Sequence, residues 1–245
     1  MASSSMKRRN GQALWRRIQE VLAQEIAAGT FAPGDRLPTE PALAARFGVN
    51  RHTLRRAMAA LAEQGLVRIE QGRGSFVQEQ VLDYAIGRRT RFSTNVLAQQ
   101  RRPGGRLLGT AELPADGALA RELALLPGTP CLLIELLREV DDRPVSLGRH
   151  YFPAARFPGL AEAYARLGSI SPALAECGLL DYERRVTRIT ARLPEASEAG
   201  LLRQPRTRPV LVTEAVNVDP EQRPVEFGVT LFAADRMQLV VEQPG

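Results

Sequence analysis

The stretch FGVNRHTLRRAMAALAEQGLVRIEQGRGSFV, Phe47 to Val77, sets a helical apolar period, a dense run of cations and a glycine-flanked hairpin side by side. Leu54, Met58 and Leu61 recur at i, i+4 and i+7, and with Val49 and Ala57 they form one core-facing stripe. Arg51, His52, Thr53, Arg55 and Arg56 fall off that stripe, mostly at the start of a helix that Asn50 can cap and that runs to about Gln64. The backbone dipole adds positive potential at that end. A solvated basic face has the same composition, so the neighbouring sequence must decide between the two.

Upstream, Ala13 to Gly29 reads as a helix with Leu14, Ile18, Val21, Leu22 and Ile26 on one face. After the turn PGDRLPTE, Thr39 can cap a second short helix, Glu40 to Phe47, with Pro41 near its first turn and Gly48 as its break. Two helices joined by a short glycine-containing turn make a helix-turn-helix, whose second helix enters the major groove by its N-terminal residues. An arginine there can reach a guanine edge with two hydrogen bonds, and a threonine can touch phosphate or a thymine methyl. Downstream, LVRIE and SFV read as strands around QGRG, Gln71 to Gly74. Glycine allows positive backbone angles at such a tip, and an arginine there suits a narrow, electronegative minor groove. Three helices and a hairpin make a winged helix-turn-helix, expected over residues 10–79.

The run from Pro33 to Val77 resembles the DNA-binding domain of GntR-family bacterial repressors, with helix, turn and wing in order. The resemblance implies DNA contacts from Asn50, Arg51, Thr53 and Arg55 on the third helix and from Gln71, Gly72 and Arg73 in the wing. Thr39 joins these as a candidate. Many members of that family carry an arginine just after the LPTE-type glutamate; here the position is Pro41.

Charge supports this division of labour. Residues 1–80 hold 12 Lys/Arg against 7 Asp/Glu, residues 81–106 hold 6 against 1, and residues 107–245 hold 15 against 19. The net +6 therefore belongs to the front of the chain, as expected if that part meets a polyanion. At 245 residues and 44% hydrophobic, the chain can build two cores. Cys131 and Cys177 have no metal-ligand spacing and read as reduced thiols, so neither metal nor cofactor is expected. No run is long and apolar enough for a membrane span, and MASSSMKRRNG has no export segment, so a cytoplasmic protein is expected.

Residues 80–245 are expected to form a linker and a second, α+β domain. TAELP at Thr110–Pro114 returns as TARLP at Thr190–Pro194, and RPVSLGRHYFPAAR at Arg143–Arg156 returns as RPVEFGVTLFAADR at Arg223–Arg236. Both pairs are offset by 80, which points to an internal duplication; chance in an Ala/Leu/Arg-rich sequence is the alternative. Each copy reads strand, short helix, strand, turn, strand, giving an antiparallel sheet with helices on one side. Leu160–Leu167 and Pro172–Cys177, the latter capped by Ser171, are expected helices between the copies. In the last strand Val225, Phe227, Val229 and Leu231 share one face, and Glu226, Gly228, Thr230 and Phe232 the other. Ser146, Gly148, His150 and Phe152 hold the equivalent places in the first copy. A face with small residues, a carboxylate, an imidazole and an aromatic fits a ligand cleft, with His150 and Thr230 as candidates; a plain solvent face is the alternative.

This part resembles the chorismate-lyase-like (UTRA) effector domain of the HutC branch of GntR regulators, on LLREVDDRPVSLGRHYFP and RPVEFGVTLFAADRMQL. That family binds small molecules, and the resemblance implies ligand contacts near Arg138 and Glu226. At the junction, LDYAIGRRTRFSTNV holds Arg88, Arg89, Thr90, Arg91 and Ser93; if extended, Arg89, Arg91 and Ser93 point the same way. Guanidinium forks with hydroxyls suit a phosphate or phosphonate oxyanion, although a basic linker touching DNA phosphates has the same residues. GRRTRFS with the FAADR ending resembles the phosphonate-metabolism regulators of that branch. The implied function is a ligand-responsive repressor that binds operator DNA as a homodimer and answers a small anionic effector. The rivals are a chorismate-lyase-like enzyme using His150 and Glu226 for acid–base work, and an effector-independent DNA binder. Only two histidines, no metal-ligand spacing, no nucleophile elbow and no P-loop make the enzyme reading the poorer one.

Overall fold

Helix α1 runs Ser3–Ala27, α2 Glu40–Phe47 and α3 Arg51–Glu63, followed by the hairpin β1 Val67–Glu70 and β2 Gly74–Val77. The structure, a computed structural model, describes residues 3–70, 72–78 and 81–241, with side chains from Leu14 onward. It divides into two units, Met1–Gln80 and Val81–Gly245. In the first, Thr39 and Asn50 cap α2 and α3 by accepting from Ala42 N and Thr53 N, and Gly48 closes α2 in the left-handed conformation at φ 61°. The core is the expected stripe: Leu54, Ala57, Met58 and Leu61 meet Ile18, Leu22, Leu37 and Leu43, with Val67 and Val77 closing it from the hairpin. Helix α1 begins ten residues ahead of the expected Ala13, because Gly11 lowers helix propensity without forbidding it. In the hairpin, Glu70 pairs with Gly74, and Gly72 at φ 74° and Gly74 at φ 115° take backbone angles that favour glycine.

The second unit opens with β3 Leu82–Ala85 and α4 Phe92–Ala98. Then come β4 Pro103–Pro114, α5 Gly117–Leu123, β5 Pro130–Val140 and β6 Arg143–Pro153, and the helices α6 Leu160–Leu167 and α7 Ile170–Glu176. The second copy is β7 Glu183–Arg192, α8 Ala196–Leu201, β8 Val210–Val218 and β9 Pro224–Ala233, closed by β10 Met237–Val240. Six strands form one antiparallel sheet in the order β4-β5-β6-β9-β8-β7, while β3 pairs in parallel with β10.

The sheet carries the duplication in its hydrogen bonds. Strands β6 and β9 sit at its centre, and Arg149 faces Val229, the residue 80 positions on. A pseudo-two-fold axis therefore passes through that pair, and the strand order reads the same from either edge. The reciprocal clasp obeys the same axis: Arg156 donates to the carbonyl of Pro224 at 3.1 Å, and Arg236 to that of Pro144 at 2.6 Å.

Each copy also bulges at the same place. Arg138 pairs with Ser146 and Glu139 with Pro144, leaving Val145 extra; Asn217 pairs with Glu226 and Val218 with Pro224, leaving Val225 extra. A bulge resets the in–out alternation. This corrects the expectation for Val225, which joins Ile134, Leu136 and Phe152 in a core under α6 and α7 rather than the side of Phe227, Val229 and Leu231. Its counterpart Val145 joins Phe232, Tyr84 and Val96 in a second core under α4, β3 and β10. Helices thus cover both faces of the sheet, not one: α5 and α8 pack on the reverse side against Cys131, Tyr151 and Phe227 and against Leu147, Val229 and Leu231.

Two further expectations shift. Helix α7 starts at Ile170 with Ser169 at its cap position, so Ser171 does not cap it and instead hydrogen-bonds the Tyr182 hydroxyl at 2.8 Å. The basic junction is not extended through Ser93, because residues from Phe92 onward wind into α4. Among the described residues no helix is long and apolar enough to cross a membrane, and no cluster of His, Cys, Asp and Glu has metal-site geometry.

Candidate nucleic-acid interface and effector cavity

In the first unit the cationic side chains of α3 differ in what holds them. Arg51 is exposed, and no hydrogen bond or ion pair restrains it among the described residues. Arg55 reaches back to Glu40 of α2 at 3.0 Å, with both side chains solvent-accessible, a pair worth about 0–1 kcal/mol that a phosphate or a base can displace. Arg56 instead lies 4.7 Å over the Trp15 ring and packs α3 on α1. Thr53 is half-buried and His52 exposed. Asn50 and Thr39 commit their side-chain oxygens to helix capping, accepting from Thr53 N and Ala42 N. In the wing, Gly72 is exposed and Arg73 bonds Glu70 at 2.8 Å with half its side chain in solvent. A Cβ on Gly74 would lie 3.0 Å from Nε of Arg36, so the wing base packs on that guanidinium. Gln71 lies outside the described residues. Pro41 is exposed in the first turn of α2 and offers no donor where an arginine would stand.

The second unit contains a cavity of 340 Å³ on the sheet face between the two apolar cores. Its floor is Ser146, Gly148 and His150 of β6 with Glu226, Thr230 and Phe232 of β9, the face expected from the alternation. Phe152 shares that face but is fully buried under α6, edge-on to Phe157, and belongs to the core. Thr90, Arg91, Phe92 and Ser93 form part of the wall, joined by Arg138, Tyr84, Ile170, Tyr182, Arg184 and Asn217.

Three guanidiniums reach this space, and none pairs with a carboxylate among the described residues. Arg91 donates to the carbonyls of Thr90 and Tyr182 at 3.1 and 2.8 Å and stacks 3.7 Å over the Tyr182 ring. Arg138 meets only the Gly168 carbonyl at 3.3 Å, between the rings of Phe92 and Tyr164. Arg184 approaches Asn217 Oδ1 at 3.4 Å. The carboxylate in the wall is Glu226, 4% exposed, and both of its oxygens are taken: Oε1 by His150 Nδ1 at 2.6 Å and Oε2 by Asn217 Nδ2 at 2.6 Å. Burial pushes its pKa up, yet the hydrogen bond and charge of His150, with Asn217 and Arg184, prevail and hold it below the usual glutamate value. Burial raises the Tyr182 phenol to about 12, so it stays protonated.

The remaining junction candidates stand elsewhere. Arg88 forks onto Glu183 at 3.0–3.1 Å and Arg89 onto Asp181, both outside the cavity wall and largely in solvent. Because the chain turns into α4 at Phe92, the two sides of the basic run diverge. Thr90 is buried at the wall, but its hydroxyl is spent on Gly87, accepting from the amide and donating to the carbonyl at 2.7 Å each. Sequence reasoning missed Arg184 and Asn217. The hairpin DPEQR alone would set Asn217 opposite Val225, and it is the bulge that brings it to Glu226; neither Asn217 nor Arg184, on an edge strand among other arginines, had a signal in the sequence.

The comparisons with known proteins agree with this anatomy. The model of bacterial regulatory proteins of the gntR family matches residues 14–77, and that of the UTRA domain matches 98–238. The chain is 46% identical over 99% of its length to all of an uncharacterized HTH-type transcriptional regulator of Rhizobium meliloti. It is 36% identical to the probable transcriptional regulator PhnF of Escherichia coli, covering 92% of this chain and 95% of that one. The crystal structure of PhnF from Mycobacterium smegmatis superposes with a TM-score of 0.65 at 27% identity, over 93% of this chain and 99% of the other. These relatives are transcriptional regulators and not enzymes, which removes the lyase reading of His150 and Glu226. The chain belongs to the GntR family of bacterial transcriptional regulators, in the HutC branch that joins a winged helix-turn-helix to a UTRA domain.

Proposed function

We propose that this regulator is a repressor whose grip on operator DNA is controlled by a small anionic effector carrying a phosphonate or phosphate group. The observation that carries this reading is the 340 Å³ cavity with Arg91, Arg138 and Arg184 on its wall and, among the described residues, no carboxylate paired to any of them. Guanidinium forks left with carbonyl or amide acceptors have donors to spare, and charge-assisted bonds to an oxyanion are about twice as strong as neutral ones. Tyr84, Phe92, Ile170 and Phe232 add apolar wall for a short organic tail. The resemblance of GRRTRFS and the FAADR ending to phosphonate-metabolism regulators points to the same chemistry.

Arg91 and Thr90 lie just after β3, the first strand of the second unit. An anion held there shifts DNA affinity by its preference for one arrangement of residues 79–95 over another. A homodimer fits this scheme, since helix-turn-helix proteins read paired half-sites with matched two-fold symmetry. The DNA contacts are assigned to Arg51, Thr53 and Arg55 on α3 and to Gly72 and Arg73 in the wing, with Asn50 and Thr39 beside them.

The test begins with a duplex selected from a random pool by the full chain. Fluorescence anisotropy then follows its release while methylphosphonate, 2-aminoethylphosphonate and inorganic phosphate are titrated. Release or tightening by at least one of them, lost in Arg138→Ala, is the expected result. Binding that no anion alters rejects the effector class, and equal affinity for selected and scrambled duplexes rejects the specific regulator.

A further inference from the structure

Resting on that reading of the cavity, we propose that His150 takes up a proton as the anion binds, so that effector affinity is tied to pH. Glu226 fixes the tautomer. An ionised carboxylate only accepts, so Nδ1 of His150, 2.6 Å from Oε1, carries a hydrogen in both protonation states. Asn217 occupies the other oxygen and keeps the carboxylate from turning away. The nitrogen that gains or loses a proton is therefore Nε2.

Nε2 has no hydrogen-bond partner among the described residues, and the ring lines the cavity. It lies above Gly148, so close that a Cβ there would come within 2.4 Å, while Gly228 of the other copy leaves room for Nδ1 at 3.3 Å. The imidazole thus lies across the two equivalent glycines of the duplicated strands.

The charges facing it decide when Nε2 is protonated. Glu226 on β9 favours the imidazolium, whereas Arg138 on β5, Arg184 on β7 and Arg91 before α4 oppose it; Asn217, Ser146, Thr230, Tyr84 and Tyr182 are neutral. An oxyanion between the guanidiniums cancels their field and leaves Glu226 dominant. It also meets a different dyad in each state. With Nε2 bare, the pair carries a net negative charge and turns a lone pair toward the ligand. With Nε2 protonated, the pair is neutral and offers an N–H. By linkage, whatever raises the proton affinity of His150 in the complex makes the complex tighter at low pH by the same factor.

The chain has two histidines, and His52 on the exposed face of α3 serves as an internal reference. The experiment is an NMR titration of the uniformly ¹⁵N-labelled full chain, reading the two imidazoles and the backbone amides of the cavity, across roughly pH 5.5–8.5. It is run alone, with methylphosphonate, and with sulfate, which has no proton to exchange in that range. The expected result is a His150 titration midpoint raised by about one pH unit by either anion, with His52 unmoved, and sulfate affinity falling about tenfold as pH rises through that window. In His150→Gln the pH slope of sulfate binding flattens while weaker binding persists. A midpoint that stays put while other cavity resonances move, or a neutral ring with hydrogen on Nε2, overturns the proposal. If neither anion moves any cavity resonance, the effector reading falls and takes this inference with it.

Discussion

The two copies of the repeat share a scaffold and divide the chemistry. At three equivalent pairs lining the cavity, one copy supplies an ionisable side chain where the other supplies none: Arg138 against Asn217, Ser146 against Glu226, His150 against Thr230. At the sheet edges, Gly105 opposite Arg138 corresponds to Arg184 opposite Asn217. What the copies keep in common is mechanical: the bulge at Val145 and Val225, the glycines 148 and 228, and the clasp of Arg156 and Arg236. A symmetric sheet thus yields an asymmetric cavity, because packing constrains the shared positions while the floor is left to diverge.

The widest gap between the copies is expected at the paired aromatics. Phe152 is enclosed on all sides by Ile134, Leu136, Phe157 and Leu160, so Phe152→Ala should cost about 3–5 kcal/mol by chemical denaturation. Its counterpart Phe232 lies 5.1 Å from Tyr84 with the rings tilted, and borders the cavity on one side, so Phe232→Ala has fewer contacts to lose. It should cost clearly less stability and more anion affinity. Equal losses in both variants would mean that the cavity is closed in solution.

A smaller but sharper contrast lies at the edges. Gly105 adopts φ +144°, and a Cβ there would meet the Leu137 carbonyl oxygen at 2.3 Å. Gly105→Ala should therefore cost about 2–3 kcal/mol through strain and displaced β4 backbone. Arg184→Ala, at the equivalent place, removes only a long hydrogen bond to Asn217 and should leave the melting temperature nearly unchanged while weakening phosphonate binding. Thermal melts and binding titrations on the two variants read the two effects separately.

The winged helix was legible almost in full because local signals suffice there: caps at Thr39 and Asn50, the left-handed Gly48, and an apolar stripe of period 3.6. The floor of the cavity was legible from the period-2 alternation and the offset of 80. Its walls were not. Arg88 and Arg89 were grouped with Arg91 because nothing local shows that Asp181 and Glu183, some 92 to 95 residues away, neutralise the first two. Val225 was assigned to the wrong side because a bulge breaks the alternation without leaving a mark in composition. The misses share a cause: they depend on partners distant in the chain.

Two cations of the same helix, α3, differ in what holds them. Among the described residues Arg51 has no ion-pair or hydrogen-bond partner for its side chain, whereas Arg55 would have to leave Glu40 to reach DNA. Arg51→Ala should weaken the selected duplex by about 1–3 kcal/mol and relax preference at one base position. Arg55→Ala should lose less, by the share that its pairing with Glu40 offsets. An equal loss on all sequences for Arg51→Ala would make it a phosphate contact and leave base reading to other residues.

The smallest expected effect separates the acidic floor of one copy from the neutral floor of the other by acid melting. Glu226 is held below the ordinary glutamate value of 4.5 in the folded chain, against the penalty of burial, by His150 and Asn217. A lowered folded value means the unfolded chain binds the proton first, so this contribution is fully present above about pH 4.5 and is lost as pH falls through the lower folded value. Melting temperature should therefore drop more steeply below that point in the parent chain than in Glu226→Gln. The difference should be a few degrees, about 2–4 °C for each kcal/mol in a chain of this size. Ser146, its equivalent in the first copy, has no charge to lose, so Ser146→Ala should follow the parent slope throughout. Parallel acid slopes in the parent and Glu226→Gln would show that the carboxylate gains nothing from its two partners, and the tautomer argument for His150 would lose its anchor.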